Sequence, residues 1–168
     1  MPYRGRMADR PSGRDETEGE RLDRNLGELL QELRVALPGV QVLFAFLLAV
    51  PFQQNFTKIN SFQETVYFMT LLLTALAAVL LISPSAYHRM TFRRQMKDHL
   101  IFLANKLAIA GIGCLALAMT GAIMLITDYL YGGTATAVVT PISLAVFALF
   151  WYALPLQKRF SSTEVDED

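Results

Sequence analysis

Four long stretches of this chain are almost free of charged residues, and the polar residues gather in blocks between and beyond them. Val35 to Phe52 carries no charge, and its 18 residues rise about 27 Å as a helix, close to the ~30 Å of a bilayer's hydrocarbon core. That predicts a first membrane span over 35–52, with Pro38 near one end and Pro51 near the other. A polar loop of Gln53, Gln54, Asn55, Thr57, Lys58 and Asn60 follows. It leads to Ser61-x-x-Glu64, in which Ser61 caps a helix and Glu64 reaches back to the cap amide. The second span is therefore expected over 62–83, ending or bending sharply at Pro84, which supplies no helical amide and biases Ser83 out of the helix.

A third apolar stretch, 101–131, has a charge-free core between Lys106 and Asp128 and is longer than a span needs. Phe92, Met96, Leu100 and Leu103 lie at helical spacing that runs into it, so an interfacial helix continuous with this span is expected. Tyr129, Tyr131, Gly132 and Gly133 mark a turn. Residues 135–156 make the fourth span, with Trp151 and Tyr152 placed as interfacial anchors and Pro141, beside Thr140 and Ser143, as a kink.

Ahead of the first span, Leu22, Leu26, Leu29 and Leu33 recur at spacings of four, three and four, opposite Asp23, Arg24, Glu28 and Glu32. This predicts an amphipathic helix over 20–34, packing on its own chain or a sister protomer. Residues 1–19, rich in Arg, Gly and Pro, and the acidic tail 158–168 have compositions expected to stay disordered. The fold class is all-α: a polytopic membrane protein of four transmembrane helices, residues 35–157, plus a short N-terminal amphipathic cytoplasmic helix. About 34 residues precede the first apolar run and no small-x-small site follows Phe52, so that run reads as a retained helix and not a cleaved signal.

Composition changes this picture little, because 53% hydrophobic residues in 168 would suit many soluble proteins. The distribution of charge adds orientation. Of the 15 Lys and Arg residues, seven precede the first span, five lie in the central loop and the start of the third span up to and including Lys106, and two follow the fourth, leaving only Lys58 for the other side. The positive-inside rule then places both termini and the central loop in the cytoplasm of a cell membrane protein. Zero net charge gives no reason to expect a nucleic-acid partner. The single cysteine, Cys114, excludes an intrachain disulfide and a Cys-based metal cluster.

Candidate chemistry is sparse. Arg34, Gln41, Glu64, Asn105, Lys106 and Asp128 are the candidate functional polar residues. Glu64, Lys106 and Asp128 fall near span ends, where long side chains reach water, while Gln41 lies within the first span and is expected to face another helix. Asn105 and Lys106 are placed to face a vestibule. His88, Arg89, Arg93, Arg94 and Lys97 form a block suited to anionic lipid headgroups. His88 and His99 have no spacing that suggests haem or metal ligation, and neither cofactor nor metal is expected. Ala110, Cys114, Ala118 and Ala122 repeat every four residues in the third span, with Gly111, Gly113 and Gly121 around them, and Thr70, Thr74 and Ala78 offer a similar face in the second. No nucleotide-binding, zinc-protease or nucleophile-elbow motif is present, so no enzymatic activity is expected.

The run Leu29 to Phe44, LLQELRVALPGVQVLF, followed by Val50-Pro51-Phe52 and by Ser83-Pro84-Ser85-Ala86-Tyr87-His88-Arg89, resembles a family of uncharacterised actinobacterial four-helix membrane proteins. Some of its members are loosely labelled sodium/proton antiporters. The resemblance, over about residues 25–158, implies that function concentrates between Arg34 and Gln41, at the entrance to the first span. Two functions follow as expectations: a non-enzymatic structural or accessory membrane component that associates with the lipid bilayer and with further copies of itself, or a small oligomeric transporter engaged in cation/proton antiport. A known class of small four-span transporters uses a glutamate inside its first helix; this chain has Gln41 there.

Overall fold

The computed structural model describes residues 18–54, 56–91 and 97–154, and these form helices joined by short turns, with no strand among the described residues. α1 spans Glu18–Ala49, α2 Ser61–Thr91, α3 Lys97–Tyr131 and α4 Gly133–Ala148, the last continued by a π-helical turn at Leu149–Ala153. Each is long and apolar enough to cross a membrane, over Gly27–Phe52, Ser61–Tyr87, Phe102–Tyr131 and Gly133–Ala153. Of the expected tails, residues 1–17 and all of 158–168 lie outside the described residues, as do 155–157 at the end of the membrane domain and Arg93 and Arg94; residues 18 and 19 belong to α1.

Two boundaries differ from the sequence reading, at the start of the first span and the end of the second. The amphipathic segment and the first span are a single helix, α1, which passes through Pro38. α2 runs on through Ser83 and Pro84 to Thr91, and α4, as expected, passes through Pro141. A proline deletes one i to i−4 hydrogen bond, but leaving the helix in apolar surroundings would strand many more backbone groups. Pro84 is in addition fully buried. The π-helical turn after α4 has no signal in the sequence pattern.

α3 is the hub. It packs most extensively on α2, next on α4, and more lightly on α1, which also lies along α2. The α2–α3 contact is close because glycines remove side chains where the other helix is bulky. A Cβ on Gly111 would sit 2.8 Å from the Leu81 side chain, and one on Gly121 would collide with the Thr70 hydroxyl. Thr70 and Thr74 are buried in this interface and turn their hydroxyls onto the carbonyls of Val66 and Thr70, at 2.7 and 2.8 Å. The hydroxyls are thus satisfied within α2, leaving methyl groups to pack.

α1 contributes the line Leu33, Val40 and Leu47, all buried. Its lower part packs Leu29 and Leu30 against Ala104 of α3, so at Leu29 and Leu33 the leucine face is covered by the same chain. Between α1 and the π-helical end of α4 lies an apolar groove of about 550 Å³ floored by α3, lined by Val35, Gly39, Leu43, Leu115, Met119 and Trp151.

Two tyrosines tie helices together by bonding backbone. Pro51 has no N–H for the carbonyl of Leu47, four residues earlier; the buried Tyr67 hydroxyl of α2 donates to that carbonyl at 2.9 Å. Phe56 closes over Tyr67 edge to face, ring centroids 5.1 Å apart. At the other end Tyr152 donates to the carbonyl of Ile109 at 2.8 Å, which it reaches because residue 113 is glycine; a Cβ there would lie 2.7 Å from the Tyr152 oxygen. Tyr152 is thus turned inward onto α3. Trp151, half-buried, packs on Phe147 and on the core, so neither residue acts only as an interfacial anchor.

Removing the Tyr67 hydroxyl leaves the Leu47 carbonyl with no donor. Tyr67→Phe is expected to lower stability by about 1–2 kcal/mol. The single, half-buried thiol of Cys114 is a built-in reporter: its reaction with a maleimide dye on heating in detergent should start at a lower temperature in the variant.

Candidate functional site

Asn60, Gln63, Asp128 and Thr136 converge at the end of the bundle where α2 begins and α3 gives way to α4. Helix initiation explains the first part. The N-cap of α2 is Asn60, one residue before the expected Ser61: Asn60 Oδ1 accepts the Gln63 amide at 2.9 Å, and Gln63 Oε1 accepts the Asn60 amide at 3.2 Å. This is the reciprocal capping box with Asn and Gln in place of Ser and Glu. The Asn60 carbonyl then takes the first intrahelical bond, from Glu64 at 2.9 Å. Ser61-x-x-Glu64 matches the same motif, yet Glu64 is exposed, whereas Gln63 is buried and has a further use.

That use is a bond to α3. Gln63 Nε2 donates to Asp128 Oδ2 at 2.9 Å, across 65 residues of sequence. A single carboxamide therefore closes the cap of one helix and grips the last turn of another. Asp128 is half-buried, and its backbone carbonyl accepts the Gly132 amide at 3.0 Å as α3 ends. Gly132 alone separates α3 from α4, and its φ of 80° lies in the left-handed region that favours glycine. Thr136, buried in the first turn of α4, lies with its hydroxyl 3.0 Å from the Gly132 carbonyl and 3.4 Å from Asp128 Oδ1. One hydroxyl hydrogen serves one of these at a time, and the shorter contact to Gly132 is the stronger. Beside this cluster an apolar hollow of about 340 Å³ lies between the α1–α2 loop and α3, lined by Val50, Phe56, Ile59, Leu125 and Tyr129 with Gln53 as its polar member.

Chemically, the cluster is a joint. Asp128 accepts hydrogen bonds from neutral donors, and Gln63 spends its oxygen and one N–H on protein partners. Among the described residues no group of three or more His, Cys, Asp or Glu side chains is placed to hold a metal ion.

The remaining sequence candidates are scattered. Glu64 is exposed beside the joint but outside it, and Arg34 is exposed on α1. Gln41 points away from the other helices, contrary to expectation: it is exposed, about 100° round α1 from the buried Val40. Asn105 is exposed, and Lys106 extends over the Phe102 ring at 4.4 Å in a cation–π contact within its own helix. His88 and Arg89 lie on the last turns of α2 and Lys97 opens α3. Of the small residues, Ala118 is buried, Cys114 and Ala122 are half-buried, and Ala110 is exposed. The face toward α2 runs through Gly111, Ala118 and Gly121, which a strict spacing of four does not trace. Thr140 of α4 has a buried hydroxyl with no hydrogen-bond partner.

Gln63, Thr136 and Tyr67 are not among the sequence candidates, and Tyr152 is expected there only as an interfacial anchor. A signal existed for Gln63 in Asn60-x-x-Gln63, and for Tyr67 in the carbonyl that Pro51 frees; Thr136 and Tyr152 have no such local mark.

The joint predicts a coupled pair. Gln63→Ala is expected to cost about 1–2 kcal/mol. Asp128→Asn should cost less, because a carboxamide oxygen still accepts from Gln63. Once Gln63 is alanine, the added effect of Asp128→Asn should shrink, and a double-mutant cycle on the thermal exposure of Cys114 reads that coupling.

No curated protein and no solved structure matches the chain. A family model does, over residues 15–155, which takes in all four apolar helices and the joint. The chain belongs to DUF6328, a family of unknown function.

Proposed function

We propose that this chain is a multi-pass integral protein of the cell membrane with a non-enzymatic, structural or accessory role. The observation that carries the reading is how the partnered polar side chains within the apolar helices are used. Tyr67 and Tyr152 fasten helix to helix, and Gln63 with Asp128 fastens α2 to α3. Thr70, Thr74, Thr120 and Ser143 close onto carbonyls of their own helices. Such groups hold an assembly together; a route for ions needs groups free to exchange partners.

The Lys and Arg distribution orients the protein with both termini and the segment between α2 and α3 in the cytoplasm, and the Asn60–Gln63–Asp128 joint at the opposite face. The basic block from His88 to Lys97 then meets anionic headgroups of the inner leaflet, each charge contributing about 1 kcal/mol. Cation/proton antiport is the competing reading, with Asp128 and Glu64 as its acids.

Two measurements test this. In a Cys114→Ser background, Thr57→Cys should react with a membrane-impermeant maleimide in intact cells and Ala86→Cys only after lysis; the reverse pattern overturns the orientation. In liposomes under a sodium or potassium gradient, the purified protein should carry no proton flux above empty vesicles. Flux that Asp128→Asn or Glu64→Gln abolishes would make the protein an exchanger.

A further inference from the structure

α1 presents one polar group that its own fold leaves unanswered. Gln41 is exposed, and its carboxamide has no hydrogen-bond partner among the described residues. It lies eleven residues before Phe52, where the first span ends, which is about 16 Å along the helix axis and about half of a ~30 Å hydrocarbon core. On the membrane reading proposed above, Gln41 therefore stands near the bilayer midplane and faces outward. Lipid chains there offer neither donor nor acceptor, so the partner has to come from protein.

The same face describes what that protein is. Gln31, Pro38, Gln41, Ala45, Leu48 and Phe52 follow one another at spacings of seven, three, four, three and four, and all are exposed. A 3.5-residue repeat keeps one face against a like helix in a left-handed crossing. Pro38 and Ala45, on either side of Gln41, are short enough for two backbones to approach. A carboxamide is its own complement, giving through Nε2 and accepting through Oε1, and a two-fold axis beside Gln41 brings the same group to the same depth with both bonds formed. Arg34 also lies on this face, but some 27 Å from Phe52, where its stem reaches the headgroup layer and two like charges are hydrated apart. The groove on the other flank of α1 is lined by no charged, carboxamide or hydroxyl side chain and makes no such demand.

We propose that the chain pairs with a second copy of itself through this face of α1, with Gln41 bonded to the partner's Gln41 at the centre of the interface.

The test uses the full chain in phosphatidylcholine/phosphatidylglycerol vesicles, with energy transfer between donor- and acceptor-labelled protein followed as lipid dilutes it. Transfer should fall with dilution as a dimer dissociates. Gln41→Leu should weaken association about tenfold, about 1.4 kcal/mol, and Gln41→Asn, which keeps the carboxamide, should restore most of it. Independently of those variants, and in a Cys114→Ser background, oxidation should link Ala45→Cys into disulfide dimers and leave Leu43→Cys, on the groove side, monomeric. A chain monomeric at every dilution, equal cross-linking at 43 and 45, or unchanged association of Gln41→Leu overturns the pairing. Monomers without ion flux remove the pairing and leave the structural role standing; flux from a dimer that depends on Gln41 does the opposite.

Discussion

The Leu47 carbonyl, freed by Pro51 in apolar surroundings, is answered by the Tyr67 hydroxyl of a neighbouring helix. Where water is scarce, hydrogen bonds cease to be a choice between protein and solvent and become a choice between one protein group and another. That constraint explains why α1 ends at the proline-containing turn while staying pinned to α2, and why a tyrosine rather than a phenylalanine sits against it. It also explains the threonines of α2, whose hydroxyls fold back on their own helix so that an apolar face remains for α3. The joint at Gln63 and Asp128 is the same principle applied to helix ends, where several amides and carbonyls lose their partners at once.

The four apolar helices were legible because charge is excluded from stretches of the right length, a signal that survives without knowledge of packing. Their ends were less so. Proline at 84 reads as a stop when only propensity is weighed, yet propensity in water is a poor guide where terminating the helix would expose more groups than the proline costs. The N-cap of α2 was offset by one residue because Asn60 and Ser61 each have a suitable residue three positions on; the tie is broken by Asp128, which is distant in sequence and invisible to any local rule.

The candidate residues divide in the same way. Asp128 was recognisable as an acid near a span end, but its role depends on Gln63, and nothing in the local pattern pairs residues 63 and 128. Gln41 was recognisable as a polar intruder, while its direction depends on which face of α1 the neighbouring helices take; Leu33, Val40 and Leu47 claim that face and turn Gln41 outward. The small-residue stripe in α3 shows a subtler limit, since the glycines at 111 and 121 mark the close contact with α2 while Ala110 of the regular series lies exposed.

Gly132 gives the molecule a lever. One residue with a positive φ is all that lies between α3 and α4, so the chain turns into the fourth helix through a single pair of torsion angles. Trp151 is nineteen residues further on, about 28 Å along the helix axis, and there it forms one wall of the groove between α1 and α4. A rotation of about 10° at the fulcrum would carry that tryptophan about 5 Å sideways over such an arm. The Tyr152 bond to the Ile109 carbonyl is the catch at its far end, and the width of the groove is governed as much by those two distant points as by the residues that line it.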